Sequence, residues 1–91
     1  MFLLVSYDIC NIKRLPKVAK LMEAYGVRVQ YSVFECDLTE RQILEMKRRL
    51  KRLMKPEEDS VRFYRICESC KEEITILGQG KVSENPWYFI T

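Results

Sequence analysis

The chain has 91 residues, of which 47% are hydrophobic and 32% charged, a composition typical of one small folded domain. It has no run of about 18 apolar residues, so the sequence predicts no membrane span and a cytoplasmic protein. The formal net charge is +3, but residues 1–56 hold 12 Lys/Arg against 6 Asp/Glu, a basic part that is compatible with nucleic acid. Because there is no histidine, Ser-His and Cys-His nucleophile pairs are excluded.

Residues 2–8, Phe-Leu-Leu-Val-Ser-Tyr-Asp, predict a strand buried on both faces, because the run is short, apolar and free of Gly and Pro. The strand ends on Asp8, and a carboxylate is costly to bury unless it is paired, hydrogen-bonded or bound to a metal. Spacing alone leaves two interpretations open. Asp8 either caps the next helix or pairs with Lys13 or Arg14, or it binds Mg²⁺, with two-fold symmetry doubling the ligand set.

The next elements are predicted from periodicity and capping residues. Apolar residues at helical spacing predict a helix over 13–25, with Pro16 near its first turn. β-Branched and aromatic residues predict strands over 27–38, divided near residues 30–32. A second helix is predicted to begin after the N-cap Thr39, with Gln42 as its capping-box partner, and to end before Pro56.

The rest of the chain is predicted to add strands. Alternation over 60–66 predicts one strand, Cys67–Cys70 a tight turn, and residues 73–77 a further strand. The order predicts an α+β, ferredoxin-like βαββαβ sandwich with the first and third strands in the middle of the sheet. The domain is assigned to residues 1–80, and the apolar tail over 81–91 is expected to pack on something, with a partner subunit as one candidate.

Two groups of residues are chemical candidates with ordinary alternatives. Cys67 and Cys70 suit half of a zinc site, a redox pair or a structural feature; zinc has poor support, because it needs four ligands and the other cysteines, Cys10 and Cys36, are isolated. Three arginines lie on predicted strands, where they are oriented for phosphate contact: Arg28, Arg62 and Arg65. Arginines that are solvated or ion-paired are equally common. Tyr7 and Phe34 could stack on bases but are more often core residues.

Five segments resemble the CRISPR-associated endoribonuclease family, the smaller partner in the spacer-acquisition machinery. The resemblance runs from residue 1 to about residue 80 and is carried by FLLVSYDI (2–9), KVAKL (17–21), YGVRVQYSVFE (25–35), DSVRFY (59–64) and Cys67-x-x-Cys70. It implies a homodimer of ferredoxin-like protomers, in which the C-terminal strand pairs with the partner's sheet and the Asp8 carboxylates of both protomers hold a divalent metal, usually Mg²⁺.

The resemblance also implies roles for individual residues. Asp8, Tyr7, Arg28, Ser32 and Phe34 match positions linked to activity, and Asp8 matches the metal ligand. Lys17 matches a position that is often Arg, while another basic position falls on Leu15, for which Lys13 and Arg14 are neighbouring substitutes. The expected nucleic-acid contacts are therefore Lys13, Arg14, Lys17, Arg28, Arg62 and Arg65.

Three functions follow as expectations. The first is a metal-dependent endonuclease that cuts single-stranded RNA or double-stranded DNA and takes part in spacer acquisition with the CRISPR integrase. The second is a non-catalytic homodimeric scaffold that binds prespacer duplex DNA, with steep salt dependence. The third and weaker one is a toxin-like ribonuclease that acts without an integrase.

Overall fold

A computed structural model describes residues 1–77 as an antiparallel sheet of four strands, with two longer helices packed on one face and Lys71 of a short third helix over Phe2 of the other face. The strands are β1 (Phe2–Asp8), β2 (Val27–Gln30), β3 (Val33–Asp37) and β4 (Ser60–Ile66), and the helices are α1 (Leu15–Glu23), α2 (Glu40–Leu53) and α3 (Glu68–Glu72). The strand order β2-β3-β1-β4 places β1 and β3 in the centre. This topology confirms the predicted ferredoxin-like fold.

The core lies between the helices and one face of the sheet. Alternate residues of β1, Leu3, Val5 and Tyr7, are buried on this face, because side chains of a strand point to opposite sides in turn. The helices contribute Met22 of α1 and Met46 of α2, which are both fully buried. Each such side chain contributes roughly 1.5–3 kcal/mol of burial free energy, so the helices hold β1 rigidly in place.

The predicted element boundaries are largely confirmed. Pro16 lies in the first turn of α1, where its missing N–H costs nothing. The Thr39 hydroxyl accepts from the Gln42 amide at 3.2 Å and the Gln42 side chain accepts from the Thr39 amide at 2.9 Å, which is the predicted capping box. Residues 31 and 32 form the turn between β2 and β3, and β4 spans the predicted residues.

The predictions for residues 67–77 are wrong. The stretch predicted as a tight turn at Cys67–Cys70 instead begins helix α3, with Cys67 as its N-cap in an extended conformation. Residues 73–77, predicted as a strand, form none, because no strand of the described chain pairs with them. Thr75, Ile76 and Leu77 instead line a groove across the exposed face of the sheet. The predicted tail over 81–91 lies outside the described residues.

Within residues 1–77, no helix is long and apolar enough to cross a membrane.

Gly26, between α1 and β2, allows a close approach of two backbone segments. A Cβ placed on Gly26 would collide with the carbonyl oxygen of Glu35 and the thiol of Cys36 on the neighbouring strand. We expect Gly26→Ala to lower stability by about 1–3 kcal/mol, measured by denaturant unfolding. The double variant Gly26→Ala/Cys36→Ala is expected to recover only part of this loss, since the backbone collision remains. Wild-type stability in Gly26→Ala would contradict the close approach.

Candidate metal and nucleic-acid site

The last two residues of β1 point to opposite faces of the sheet. Asp8 lies opposite Ser60 of β4 and is exposed on the face of the sheet opposite α1 and α2, which we call the open face. Tyr7 lies opposite Val61 and is only 4% exposed, because it points toward the helices. Two of the predicted catalytic residues, Tyr7 and Asp8, therefore lie on opposite sides of β1.

Small polar side chains surround Asp8 on the open face. Ser6 lies two residues earlier on β1 and opposite Arg62 of β4, and Ser60 lies opposite Asp8 itself. Together with Tyr64 these residues line a shallow depression of about 210 Å³. A hydrogen bond with the Tyr64 hydroxyl raises the pKa of Arg62, which is exposed and keeps its positive charge beside the carboxylate.

Asp8 is not used by the fold. Within residues 1–77 its carboxylate makes no hydrogen bond or ion pair. The turn before α1 is instead held by Asn11, whose side-chain oxygen accepts from the backbone amides of Lys13 at 2.7 Å and Arg14 at 3.2 Å, and the N-cap Arg14 has no side-chain cap. Arg14 pairs with Asp59, so both structural interpretations of Asp8 are replaced by other residues.

Tyr7, Arg28 and Phe34 form a cluster on the helix side of the sheet. The rings of Tyr7 and Phe34 stack with centroids 6.1 Å apart, and the Arg28 guanidinium lies 5.4 Å from the centre of the Phe34 ring. Burial raises the pKa of Tyr7, although a hydrogen bond with Arg28 opposes the shift. Since Phe34 is fully buried, its contact is with Arg28 and the core, and only Arg28 of this cluster is exposed.

Ser32 and Arg14 hold the ends of the strands near Asp8. The carbonyl of Ser32 accepts from the Tyr7 amide at 3.1 Å, which fixes the backbone beside Asp8. Arg14 donates to both carboxylate oxygens of Asp59 at 3.0 and 3.1 Å and to Glu58 at 3.0 Å. Arg14 thus has internal ion pairs with Asp59 and Glu58, and its predicted phosphate contact stays a prediction.

The other predicted basic residues lie in three places. Lys13 is exposed in the loop after β1, and Lys17 is exposed on α1. Arg65 is opposite Leu3 and pairs with Glu40 at 3.0 Å, so it lies at the end of the sheet away from Asp8. The structure therefore brings Arg62 next to Asp8 but leaves Arg65 distant from it.

Lys17 lines a groove between α1 and α2, about 540 Å³ in volume, which we call the helix groove. Its rim is basic and its floor is apolar, with Lys17, Lys20, Arg49 and Arg52 above Leu21, Ala24 and Leu53.

The sequence did not predict Lys20, Arg49 and Arg52 as one group, because their proximity depends on how the two helices pack. Ser6 and Ser60 were also not predicted as neighbours of Asp8. Ser6 could have been, because residues two apart on a strand point to the same face.

One chain supplies a single carboxylate to a metal at Asp8. Within residues 1–77 no group of three or more Cys, Asp or Glu side chains is placed to hold an ion. The exposed, unpaired Asp8 carboxylate and the neighbouring serine hydroxyls are nevertheless the oxygen donors that Mg²⁺ accepts. The residues thus fit a weak Mg²⁺ site that needs further ligands. The roles of Asp8, Tyr7, Arg28, Ser32 and Phe34 stay predictions.

The chain was compared with known proteins. Residues 1–74 match the family model described as CRISPR associated protein Cas2. Over 85 residues the chain is 51% identical to "CRISPR-associated endoribonuclease Cas2 1" of Chloroflexus aurantiacus, covering 92% of this chain and 91% of that protein. It is 40% identical over 80 residues to "CRISPR-associated endonuclease Cas2 2" of Thermus thermophilus, covering 88% and 84%. The crystal structure of Streptococcus pyogenes Cas2 superposes with a TM-score of 0.76 at 40% identity, covering 86% of this chain and 100% of that one.

The sequence and structural matches agree with each other and with the ferredoxin-like sheet described above. They confirm the family that the resemblance of the segments predicted, including relatives named as endoribonucleases and endonucleases. The chain belongs to the CRISPR-associated protein Cas2 family.

Proposed function

We propose that this chain is a CRISPR nuclease that cleaves phosphodiester bonds at Asp8, with Mg²⁺ bound between the Asp8 carboxylates of two copies. The observation that carries the proposal is that Asp8 is exposed on the open face and makes no hydrogen bond or ion pair within residues 1–77. A carboxylate that no structural contact uses is free to bind a divalent cation, which takes oxygen ligands. The names of the relatives support the reaction class.

The chain's own residues bind and orient the substrate. Asp8 would hold the metal, with Ser6 and Ser60 beside it on neighbouring positions of the open face. Arg62 is placed to contact a phosphate oxygen and balance its charge. When bound, Mg²⁺ supplies charge neutralisation at the phosphodiester and lowers the pKa of a water molecule.

A second copy of the chain is part of the proposal. A single monodentate carboxylate is a weak Mg²⁺ ligand, whereas a two-fold axis through the open face would bring two Asp8 side chains together. The open face also carries exposed apolar side chains, including Val27, Val29 and Tyr64 at 41%, 38% and 46% exposure. A facing copy would remove these from water, so the same contact stabilises the dimer and completes the site.

Direct cleavage assays test the proposal. Purified protein is incubated with end-labelled single-stranded RNA and with double-stranded DNA, each with Mg²⁺ or with EDTA. We expect Mg²⁺-dependent cleavage of at least one substrate, and the substrate that is cut fixes the class. No cleavage of either substrate by dimeric protein across a range of Mg²⁺ and pH would overturn the nuclease proposal.

The helix groove favours a second function, a scaffold that binds duplex DNA together with the CRISPR integrase. Its four basic side chains lie on the helices, whereas Asp8 lies at the rim of the opposite, open face. Cations clustered on one surface bind the phosphate backbone without reading sequence. This role needs no cleavage and is compatible with the first.

We expect the double variant Lys17→Ala/Arg52→Ala to weaken duplex binding about 10-fold or more at 100 mM salt. The slope of log K against log salt should fall by about 2, because two phosphate contacts are lost. Binding is measured by fluorescence anisotropy over a salt series. Lys51→Ala, an exposed α2 variant outside the groove, is the control for lost charge. An effect of Lys51→Ala equal to half that of the double variant would show that net charge alone matters.

A further inference from the structure

Two cysteines that the proposed function does not use lie at the start of α3. Cys67 directly follows the last residue of β4 and is the N-cap of the helix, with φ −70° and ψ 163°. Cys70 is one turn further on, and both side chains are exposed. In an unbroken helix, Cys side chains three residues apart are too distant for a disulfide, but an extended N-cap residue can turn its thiol toward the following turn.

The two thiols have different chemical surroundings. The Cys67 sulfur lies 3.3 Å from the Ser69 hydroxyl. Hydrogen bonds from this hydroxyl, from the Cys70 amide and from the Cys70 thiol lower the pKa of Cys67 to about 7. The contact with Cys67 raises the pKa of Cys70, so near neutral pH Cys67 is partly ionised and is the more acidic thiol of the pair.

The other two cysteines lack this arrangement. Cys36 is buried in the core, and burial raises its pKa to about 11. Cys10 is exposed, and its thiol donates to the carbonyl of Glu58 at 2.8 Å. The thiolate is the reactive form in disulfide exchange, so Cys67 is the chain's strongest candidate nucleophile.

Within residues 1–77 the side chains near the pair do not complete a metal site. The chain has no histidine, and within residues 1–77 no third Cys, Asp or Glu joins Cys67 and Cys70 in a cluster that could hold an ion. Structural zinc needs four ligands. Two exposed thiols without further ligands favour disulfide chemistry.

We propose that Cys67 and Cys70 form a reversible dithiol–disulfide site that exchanges with small-molecule disulfides. The Cys67 thiolate attacks one sulfur of the disulfide, which forms a mixed disulfide and releases the first thiolate. Cys70 then loses its proton and attacks the Cys67 sulfur, which closes the intramolecular bond and releases the second thiolate. Two electrons pass from the protein to the small disulfide, and the protons of the pair leave with the two released thiols.

The position of the pair gives the oxidation a structural consequence. α3 connects β4 to residues 73–77, of which Thr75, Ile76 and Leu77 lie along the open face beside Val27 and Tyr64. A bond between Cys67 and Cys70 would fix the first turn of this connection. The Cys67–Cys70 pair is separate from Asp8, and its disulfide exchange does not depend on whether the chain cleaves nucleic acid.

The test equilibrates the reduced full-length protein with glutathione buffers of graded oxidised to reduced ratio. Free thiols are then blocked with maleimide and counted by intact mass. We expect two of the four thiols to disappear together within one chain, and peptide mapping to join Cys67 to Cys70. Cys67→Ser and Cys70→Ser should each abolish this two-thiol step, whereas Cys10→Ser should retain it.

A second measurement follows the rate of alkylation with iodoacetamide against pH. We expect Cys67 to react half-maximally near pH 7 and at pH 7 at least about threefold faster than Cys10. Three results would overturn the proposal: four thiols that stay free in oxidising buffer, a disulfide that joins two chains, or stoichiometric zinc whose removal is needed before the thiols react.

Discussion

Asp8→Asn is expected to reduce Mg²⁺-dependent cleavage by more than about 100-fold, the largest effect on activity of any single substitution in this chain. Asparagine keeps the size and shape of the side chain but removes the negative charge that holds a divalent cation. Because Asp8 is exposed and unpaired within residues 1–77, the substitution should leave the fold unchanged. Cleavage is measured on the substrate that the wild-type protein cuts, over a Mg²⁺ series.

The matched control is Asp37→Asn. Asp37 is also an exposed strand-end aspartate, but it ends β3 beside Phe2 at the opposite end of the sheet, and its carboxylate contacts the N-terminal amine at 3.4 Å. Asp37→Asn should cleave like the wild type, and both variants should melt within a few degrees of it. Equal cleavage by Asp8→Asn and the wild type would remove Asp8 from the mechanism and point to a contaminating nuclease.

The largest expected effect on stability comes from Asp59, which joins three segments of the chain. Its side chain is fully buried and accepts from Arg14, from the Cys10 amide at 3.0 Å and from the Lys55 amide at 2.9 Å. Asp59→Asn removes the charge opposite Arg14 and puts an amide group where acceptors are needed. We expect the melting temperature to fall by more than about 10 °C, because a buried charge loses its partner.

The same residue predicts how stability depends on pH. Hydrogen bonds from Arg14, Lys55 and Cys10 lower the pKa of Asp59 to about 2, below its ordinary value of 3.8. Between these values the unfolded chain binds the proton more readily than the folded one, so the stabilising contribution is complete above the ordinary pKa and is lost as pH falls toward 2.

Melting curves of the wild type and Asp59→Asn from pH 7 to pH 2 measure this contribution. The difference in melting temperature between them is expected to be constant above about pH 5 and to shrink below about pH 4. Asp37→Asn, whose carboxylate is exposed, serves as the control for the general effect of acid. A difference that stays constant down to pH 2 would contradict the account of Asp59.

Local signals in the sequence were sufficient for most of the fold. The capping box of Thr39 and Gln42 and the alternation over residues 60–66 are each carried by neighbouring residues, so they could be predicted without knowledge of contacts. The structure of residues 67–77 could not be predicted in this way, because a short helix and a short strand have similar local sequence patterns. Which one forms depends on whether a partner strand is available.

The site shows the same division between local and distant information. The position of Asp8 at a strand end left a cap, an ion pair and a metal ligand open, and only the family resemblance favoured the metal ligand; the structure places Asp8 on the open face. Alternation along β1 already implied that Tyr7 and Asp8 point to opposite faces, yet the family resemblance grouped them together. The ion pair of Arg14 with Asp59 could not be predicted, because Asp59 lies 45 residues away along the chain.

In the proposed metal site, two Asp8 carboxylates share one ion. Titration of the dimeric protein with Mn²⁺, followed by the electron paramagnetic resonance signal of the free ion, measures this directly. We expect one tightly bound ion for every two chains, displaced by excess Mg²⁺, and none in Asp8→Asn. One ion per chain, or undiminished binding by Asp8→Asn, would contradict the shared site.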